Sequence, residues 1–332
     1  MKDRLRVGIA GAGAISQYHL VGWSQTPDAN LIAICDVDEA RARAKAQAFN
    51  IPRVYTDFHA MITSEKLDAV DIVTPVGTHA PLTRLAADAG LHVCCQKPLT
   101  PTVREAEELI AYVGDRVRFM VHENYRFRPH YAQVGQWLQD GRIGEITHAR
   151  MVVRSQGMIE VDGVAPFLLN RQPYLKDFRR LLIFEVLIHH LDVLRVLLGP
   201  LQVIAARTAK VNAALAGEDV AVIMLGGGNA LTVVVDGNIS APGYGPLPMD
   251  RLEIMGTRGT LIFERDRLYL AGSDEPPVVY DLAKNYQACF TRATREFVGG
   301  IRGGTPFPTD RLDNLETLKL MESCYVAAGI AV

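Results

Sequence analysis

Lys97, Glu185 and His189 are the residues whose types and surroundings suit chemistry. Lys97 follows the apolar run His92 to Cys95 and precedes Pro98, which places it at the C-terminal end of a predicted strand, where open α/β sheets bind their ligands. An ammonium there can hold a reacting oxygen and stabilise developing alkoxide charge. His189 lies in Leu181 to Leu198, the most apolar of the later segments, which reads as a helix. An imidazole titrates near neutral pH and so suits the removal of a hydroxyl proton. Glu185 stands four residues before His189 and Asp192 three after it, so the three project to roughly one face of an α-helix. A carboxylate bonded to one imidazole nitrogen would set the tautomer and raise the basicity. The neighbouring His190 points about 100° away and reads as structural. Plainer readings exist: Lys97 as a strand-end lysine held extended by Pro98, and Glu185 and Asp192 as ion-pair partners of Arg195. For Asp192 the two readings stand level.

Taking a proton from a carbinol while its hydride leaves requires an acceptor, and the chain's start is shaped to hold one. Gly11-Ala12-Gly13-Ala14-Ile15-Ser16 follows the first predicted strand and opens the first helix, the context that a Gly-x-Gly-x-x-Gly fingerprint needs. Gly11 permits the tight turn, and Gly13 lets the backbone approach a pyrophosphate on the helix N-terminus. Ser16 replaces the third glycine and is still small. Asp36 ends the second strand where a carboxylate can accept from ribose hydroxyls, and its charge disfavours a 2′-phosphate, so NAD is expected rather than NADP. The alternatives are a plain Gly-rich turn and, for Asp36, a helix N-cap with Asp38 as rival.

The elements that must position these residues change character along the chain. To about residue 121, short β-branched runs (Arg6 to Ala10, Leu31 to Cys35, Ala69 to Val73, His92 to Cys95, Val117 to Val121) alternate with amphipathic stretches (Ala14 to Ser24, Glu39 to Phe49, His79 to Ala89, Val103 to Val113). That rhythm predicts an N-terminal Rossmann domain, a doubly wound parallel sheet, over residues 1–122. From Ile146 onward, runs such as D-V-A-V-I-M-L and L-T-V-V-V-D-G joined by G-G-G-N predict a large, mostly antiparallel sheet. Helices are expected near Tyr131 to Gln139, Leu181 to Leu198, Gln287 to Val298 and Leu312 to Ala328, so residues 123–332 form a second, α/β domain.

Bulk properties narrow the partners. The 332 residues exceed one ordinary core, and 48% hydrophobic with 22% charged residues is a globular composition. A net charge of -2 without basic clusters speaks against nucleic acid and anionic membranes, leaving a small-molecule ligand. Five cysteines without Cys-x-x-Cys spacing suit reduced thiols in a cytoplasm. The apolar stretch within Met1 to Ile15 is broken by glycines and lacks a cleavage site, and Leu181 to Leu198 carries too many polar groups for a membrane span. The histidines lack metal-ligand spacing, so no metal is expected, and no Gly-x-Ser-x-Gly elbow occurs.

Val73-Thr74-Pro75-Val76-Gly77-Thr78-His79, Gly90-Leu91-His92-Val93-Cys94-Cys95-Gln96-Lys97-Pro98, Gly256-Thr257-Arg258-Gly259-Thr260 and the stretch from Phe297 to Ala328 complete the picture. On these motifs the chain resembles the glucose-fructose oxidoreductase / inositol dehydrogenase (Gfo/Idh/MocA) family over nearly its whole length. The resemblance implies NAD-dependent oxidation of a hydroxyl on a sugar, aldonic acid or cyclitol, with the active site between a Rossmann domain and an α/β domain whose open sheet often joins subunits, here into a homodimer or homotetramer. It implies Lys97 as the oxygen-polarising acid and His189 as the base, with Glu185 beside it. Thr74, Pro75, His79, Gln96 and Asn124 then fall on the cofactor together with Gly11 to Ile15 and Asp36. Asn124 and Arg154 fall on the substrate with Lys97, Glu185 and His189. Arg126 is a further contact or a hinge ion pair, and Arg171, Gln172 and Tyr174 share the segment that would cover the cleft.

Two departures touch the chemistry: the family's Glu-Lys-Pro is Gln96-Lys97-Pro98, and its Asp-x-x-x-His-x-x-Asp is Glu185-x-x-x-His189-x-x-Asp192. Cys95-Gln96-Lys97-Pro98 with His122-Glu123-Asn124-Tyr125-Arg126 is similar, more narrowly, to a subgroup that includes D-apiose dehydrogenases. Two other functions fit the same fold: a non-catalytic NAD-binding sensor, and an enzyme that recycles its NAD while converting sugars or glycosides.

Overall fold

The computed structural model describes residues 4–331, so the expected domain ends at residues 1–3 and 332 lie outside the described residues. The chain divides into two compact units, one running to Phe127 and taking in Tyr286–Leu318, the other comprising Arg128–Asn285 and the residues from Lys319 on.

The first unit alternates β1 (Leu5–Ala10), α1 (Ser16–Ser24), β2 (Ala29–Cys35), α2 (Glu39–Phe49), β3 (Arg53–Tyr55), α3 (Phe58–Ser64), β4 (Ala69–Ile72), α4 (His79–Asp88), β5 (His92–Gln96), α5 (Val103–Val113) and β6 (Phe119–His122). Every strand pair is parallel and the order is β3-β2-β1-β4-β5-β6, the doubly wound arrangement. Helices cover both faces of such a sheet, so β4 and β6 are buried at every position and are apolar except at Asp71 and His122. Local chemistry starts the helices: Asp38, Asp57 and Thr102 accept the Arg41, Ala60 and Glu105 N–H groups at the entrances of α2, α3 and α5. The sequence reading passed over β3 and α3, which are too short to show a period.

The second unit contains α6 (Pro129–Gln139), β7 (Ile146–Arg154), α7 (Phe167–Arg171), a π-helical turn (Leu182–Leu187) continuing into α8 (Ile188–Leu198), then β8 (Leu201–Ala209), β9 (Val220–Gly227), β10 (Thr232–Asn238), β11 (Met249–Gly256), β12 (Gly259–Glu264), β13 (Arg267–Leu270) and β14 (Val278–Val279). Its sheet runs β14-β13-β12-β11-β7-β10-β9-β8, antiparallel except where β7 and β10 pair in parallel. Strand β9 shows why the sheet forms: Ala221, Ile223 and Leu225 are buried, whereas Val222 and Met224 are exposed on the other face. The G-G-G-N turn works as expected, closing the β9–β10 hairpin with Asn229 and Ala230 in the left-handed region at φ 55° and 58°.

Two helices follow, α9 (Leu282–Gly303) and α10 (Arg311–Ala327). Here the division departs from the expected 123–332 domain, because Tyr286–Leu318 belongs to the first unit. The reason is apolar: Cys289, Phe290, Phe297 and Phe307 share one buried cluster with Val7, Trp23 and Met120. Contacts at such sequence separation leave no local trace.

Candidate functional site

In the first unit the candidate residues sit at the C-terminal edge of the parallel sheet. Gly11 has φ +104°, and a Cβ there would lie 2.3 Å from the Val73 carbonyl oxygen, so only glycine allows the β1–α1 loop to pass the end of β4. Ser16, fully buried, donates its hydroxyl to the Gly13 carbonyl at 2.7 Å and closes the loop in place of the third glycine. A Cβ on Gly13 would meet nothing within 4 Å, so the loop stays open at the N-terminus of α1, where a pyrophosphate would lie. Asp36 is not the cap of α2, a role that falls to Asp38. Its Oδ2 accepts the Ala12 N–H at 2.7 Å, and its Oδ1 accepts the Asp38 N–H and an Arg41 guanidinium N–H. The carboxylate thus braces the loop and retains lone pairs for hydroxyl donors. These residues fit a dinucleotide.

Gln96 ends β5, and the Lys97–Pro98 peptide that follows is cis. Gln96 Oε1 accepts the Lys97 N–H at 2.7 Å, and Gln96 Nε2 lies 2.9 Å from His19 Nε2. His19 Nδ1 meets Asp71 Oδ2 at 2.8 Å, and Trp23 donates its indole N–H to the same oxygen at 2.6 Å. Burial alone would push Asp71 toward the neutral acid, but His19, His122 and Trp23 outweigh it and hold the carboxyl below its ordinary range. His79 bridges two neighbouring loops, with Nε2 2.8 Å from the Thr74 carbonyl and Nδ1 2.9 Å from the Pro98 carbonyl. Thr74 receives the Thr78 hydroxyl, and Pro75 is exposed beside it. Asn124 is buried and donates its amide to Cys289 Sγ at 3.0 Å, while Arg126 pairs with Asp313 at 2.6 Å. Thus Lys97, Gln96, His79, Thr74, Gly11 and Asp36 all arise at or just beyond the ends of β1, β2, β4 and β5.

In the second unit, reading residues 181–198 as one α-helix needs correction. The Ile188 N–H bonds back to the Ile183 carbonyl, the i→i−5 pattern of a π-helix, and the added residue shifts Glu185 around the axis relative to His189 and Asp192. Their shared face therefore does not follow from α-helical spacing. This turn is held tightly. Glu218 accepts the Leu181 and Ile183 N–H groups on its carboxylate and the Leu182 N–H on its backbone carbonyl, and the Phe184 N–H goes to the Tyr325 hydroxyl. Tyr325 in turn donates to Glu218 at 2.6 Å, so the first N–H groups of the helix are all satisfied by two distant residues.

His189 is buried to 7% exposure and Glu185 is half-buried. Tyr174 lies near Glu185: burial first, then the Glu185 charge, pushes its hydroxyl up, partly opposed by the bond from Gln172. His190 is fully buried, with Nε2 2.8 Å from Asp250 Oδ1 and Nδ1 3.0 Å from the Val186 carbonyl. Asp250 also accepts from Tyr131 at 2.8 Å and from Arg128 at 3.1 Å. Asp192 is fully buried, 3.9 Å from Arg195. Arg154, at the end of β7, bonds to the carboxylate of Asp236 at 2.6 Å and to its carbonyl at 2.7 Å.

Sequence reasoning missed Asp71, Glu218 and Tyr325, and weighed His19 only as a metal ligand. The available signal was a carboxylate inside the otherwise apolar run A-V-D-I, which a fully buried strand tolerates only with donors to match. Burial also keeps the cysteines as thiols: it pushes Cys35 up to about 11 and Cys324 up to about 12. Among the described residues no three His, Cys, Asp or Glu side chains are grouped to hold a metal ion, and no helix is long and apolar enough to cross a membrane.

A doubly wound sheet, a glycine loop open at a helix N-terminus, an acid at the end of β2 and a lysine at the end of β5 define a dinucleotide-binding oxidoreductase. One family model, described as an oxidoreductase family with an NAD-binding Rossmann fold, matches residues 5–123, and another, the GFO/IDH/MocA C-terminal domain, matches residues 131–262. The chain belongs to the GFO/IDH/MocA family. It is 36% identical to a D-apiose dehydrogenase of Paraburkholderia graminis over 98% of this chain and 88% of that protein. A D-apiose dehydrogenase of Rhizobium rhizogenes is 32% identical over 98% and 95%. Among solved structures, an oxidoreductase from Agrobacterium radiobacter in complex with NAD+, L-tartaric acid and magnesium superposes with a TM-score of 0.89 at 30% identity, covering 98% of this chain and 96% of that one.

Proposed function

We propose that this chain oxidises a hydroxyl carbon of a sugar, aldonic acid or cyclitol with NAD, and that a pentose such as D-apiose is its substrate. The observation that carries the reading is the shared sheet edge: the loop sealed by Gly11 and left open at Gly13 lies on the same edge to which β5 delivers Lys97. The whole-length likeness to two D-apiose dehydrogenases supports the substrate. Bound NAD supplies the hydride acceptor. Gly11 to Ile15 hold its pyrophosphate, Asp36 its ribose hydroxyls, and Thr74, Pro75, His79, Gln96 and Asn124 shape the edge around it. Lys97 holds the substrate oxygen as negative charge develops, His189 removes the hydroxyl proton, and Glu185 orients His189 or a neighbouring hydroxyl. Asn124 and Arg154 contact the substrate in this reading.

Assembly as a homodimer or homotetramer is supported by the exposed Ile204, Val222 and Met224 on the open sheet of the second unit. A cytoplasmic location is supported by five buried free thiols.

Purified protein given NAD and a panel of pentoses, hexoses, aldonic acids and cyclitols should produce NADH absorbance, strongest with D-apiose. Lys97→Ala should lower kcat by on the order of 100-fold or more, and light scattering of the same sample reads its assembly. NAD binding with silence across the panel would turn the assignment to a sensor. NAD that co-purifies without exchanging would turn it to an enzyme that recycles its cofactor.

A further inference from the structure

A chain of hydrogen bonds in the first unit has its direction set at both ends. The Lys97 backbone N–H can only donate, and it meets Gln96 Oε1 at 2.7 Å. The amide is thereby oriented, with Nε2, a donor only, facing His19 Nε2 at 2.9 Å. His19 Nε2 must accept, so the ring proton sits on Nδ1, 2.8 Å from Asp71 Oδ2. The far end agrees independently: Trp23 donates to that same Asp71 oxygen, as it does to a carboxylate.

We propose that Asp71 and His19 are positioning residues for Lys97, locking the Gln96 amide so that its carbonyl always receives the Lys97 N–H. The proposal rests on the reading of Lys97 as the group that holds the substrate oxygen. Turning the amide over would set N–H against N–H at Lys97 and oxygen against bare nitrogen at His19, losing both bonds at once. Burial keeps water from replacing them, since His19 and Asp71 are fully buried and Gln96 is nearly so. Around the His19 ring stand Asp71 from β4, Gln96 from β5, the His122 ring from β6 at 4.1 Å, Phe290 from α9 at 5.3 Å and Trp23 from its own helix, with the Cys94 thiol beside Asp71. Asp71 is the one full charge in the relay as drawn, and residue 96 carries none. Gln96→Glu keeps the shape but removes the N–H that faces His19 Nε2, so the ring keeps that contact only by taking up a second proton.

Nitrogen-15 NMR of the full-length chain, with His19 assigned by its loss in His19→Gln, reads this directly. At pH 7 the wild-type ring should carry its proton on Nδ1 alone, and the Gln96→Glu ring should carry protons on both nitrogens. In His19→Phe the amide at 96 is released, and hydrogen exchange of the Lys97 amide should speed up by about 10-fold, the equivalent of one lost hydrogen bond. A wild-type proton on Nε2, a bare Nε2 in Gln96→Glu, or unchanged Lys97 exchange in His19→Phe would each overturn the proposal. The wild-type tautomer is read on the unaltered chain, with His19→Gln serving only for the assignment. None of these readouts needs turnover, so an inactive enzyme with the lock intact defeats only the functional reading, and an active enzyme with the wrong tautomer defeats only the lock.

Discussion

Each unit buries an Asp–His pair at the same 2.8 Å separation, yet these two pairs differ in charge because their outer partners differ. His19 has an acceptor at Nδ1 and an amide donor at Nε2, so a single ring proton satisfies both contacts. His190 has acceptors at both nitrogens, the Asp250 carboxylate and the Val186 carbonyl, so both bonds require two protons. Asp250 is built for that load: burial would raise its carboxyl, but His190, Arg128 and the Tyr131 hydroxyl hold it well below the carboxylate range. Among the described residues the donors to Asp71 are the His19 ring, the Trp23 indole and the Cys94 thiol, with no guanidinium. An aspartate–histidine contact therefore has no charge of its own; the group behind the ring decides it. The first unit aims an amide at Lys97 through a ring left neutral beside the Asp71 carboxylate, and the second pins the turn that carries Glu185 with a charged ring.

The comparison breaks most directly through the two aspartates. Asp250→Asn leaves buried cations without a counter-charge and should cost about 3–5 kcal/mol. Asp71→Asn leaves neutral donors and should cost about 1–3 kcal/mol. Equal losses in urea unfolding of the full chain would show that the pairs are electrostatically alike.

An effect smaller than that of Asp250→Asn comes from another buried imidazole, His130, whose nitrogens have no hydrogen-bond partner among the described residues and whose ring stacks on Phe263 at 4.1 Å. Burial, then Arg128, pushes it down to about 3, partly opposed by Asp250. Unfolded, it would protonate near 6.5. Between those values the unfolded chain binds a proton that the folded chain refuses, so this contribution to stability is complete above about pH 6.5 and declines toward pH 3. His130→Phe keeps the stack and removes the titration. It should spare the chain about 2–3 kcal/mol of the loss between pH 7.5 and 4.5, read by urea unfolding at both pH values. An acid limb as steep as wild type would show that the ring does not titrate as the geometry requires.

The smallest effect should come from Tyr131→Phe, which removes one of several donors to Asp250. With Arg128 and His190 still in place, it should cost about 1 kcal/mol of unfolding free energy. A loss as large as that of Asp250→Asn would mean that the hydroxyl, rather than the cations, carries the knot.

Much of the first unit was legible because its signals are local. Helices α2 and α5 begin and end where the sequence places them, since Asp38 and Thr102 cap them from the preceding residue. Gly11 and Asp36 were legible because a tight turn after a strand and an acid at the end of the next strand are near neighbours in the chain. The π-helical turn was not legible, because residues 181–198 carry an apolar period that an α-helix explains equally well. The return of residues 286–318 to the first unit was hidden because its apolar partners, Val7, Trp23 and Met120, lie far away in the chain and leave no local trace.

From the residues alone came the alternating β/α rhythm, the glycine loop after the first strand, the acid that ends the second and the strand-end lysine, all products of steric and hydrogen-bonding preferences acting within a few positions. Tertiary structure decided which polar groups meet. Asp71 finds His19 from 52 residues away, and Glu218 finds Tyr325 from 107. Direction, tautomer and charge in a buried network belong to the whole set of partners, and packing is what brings that set together.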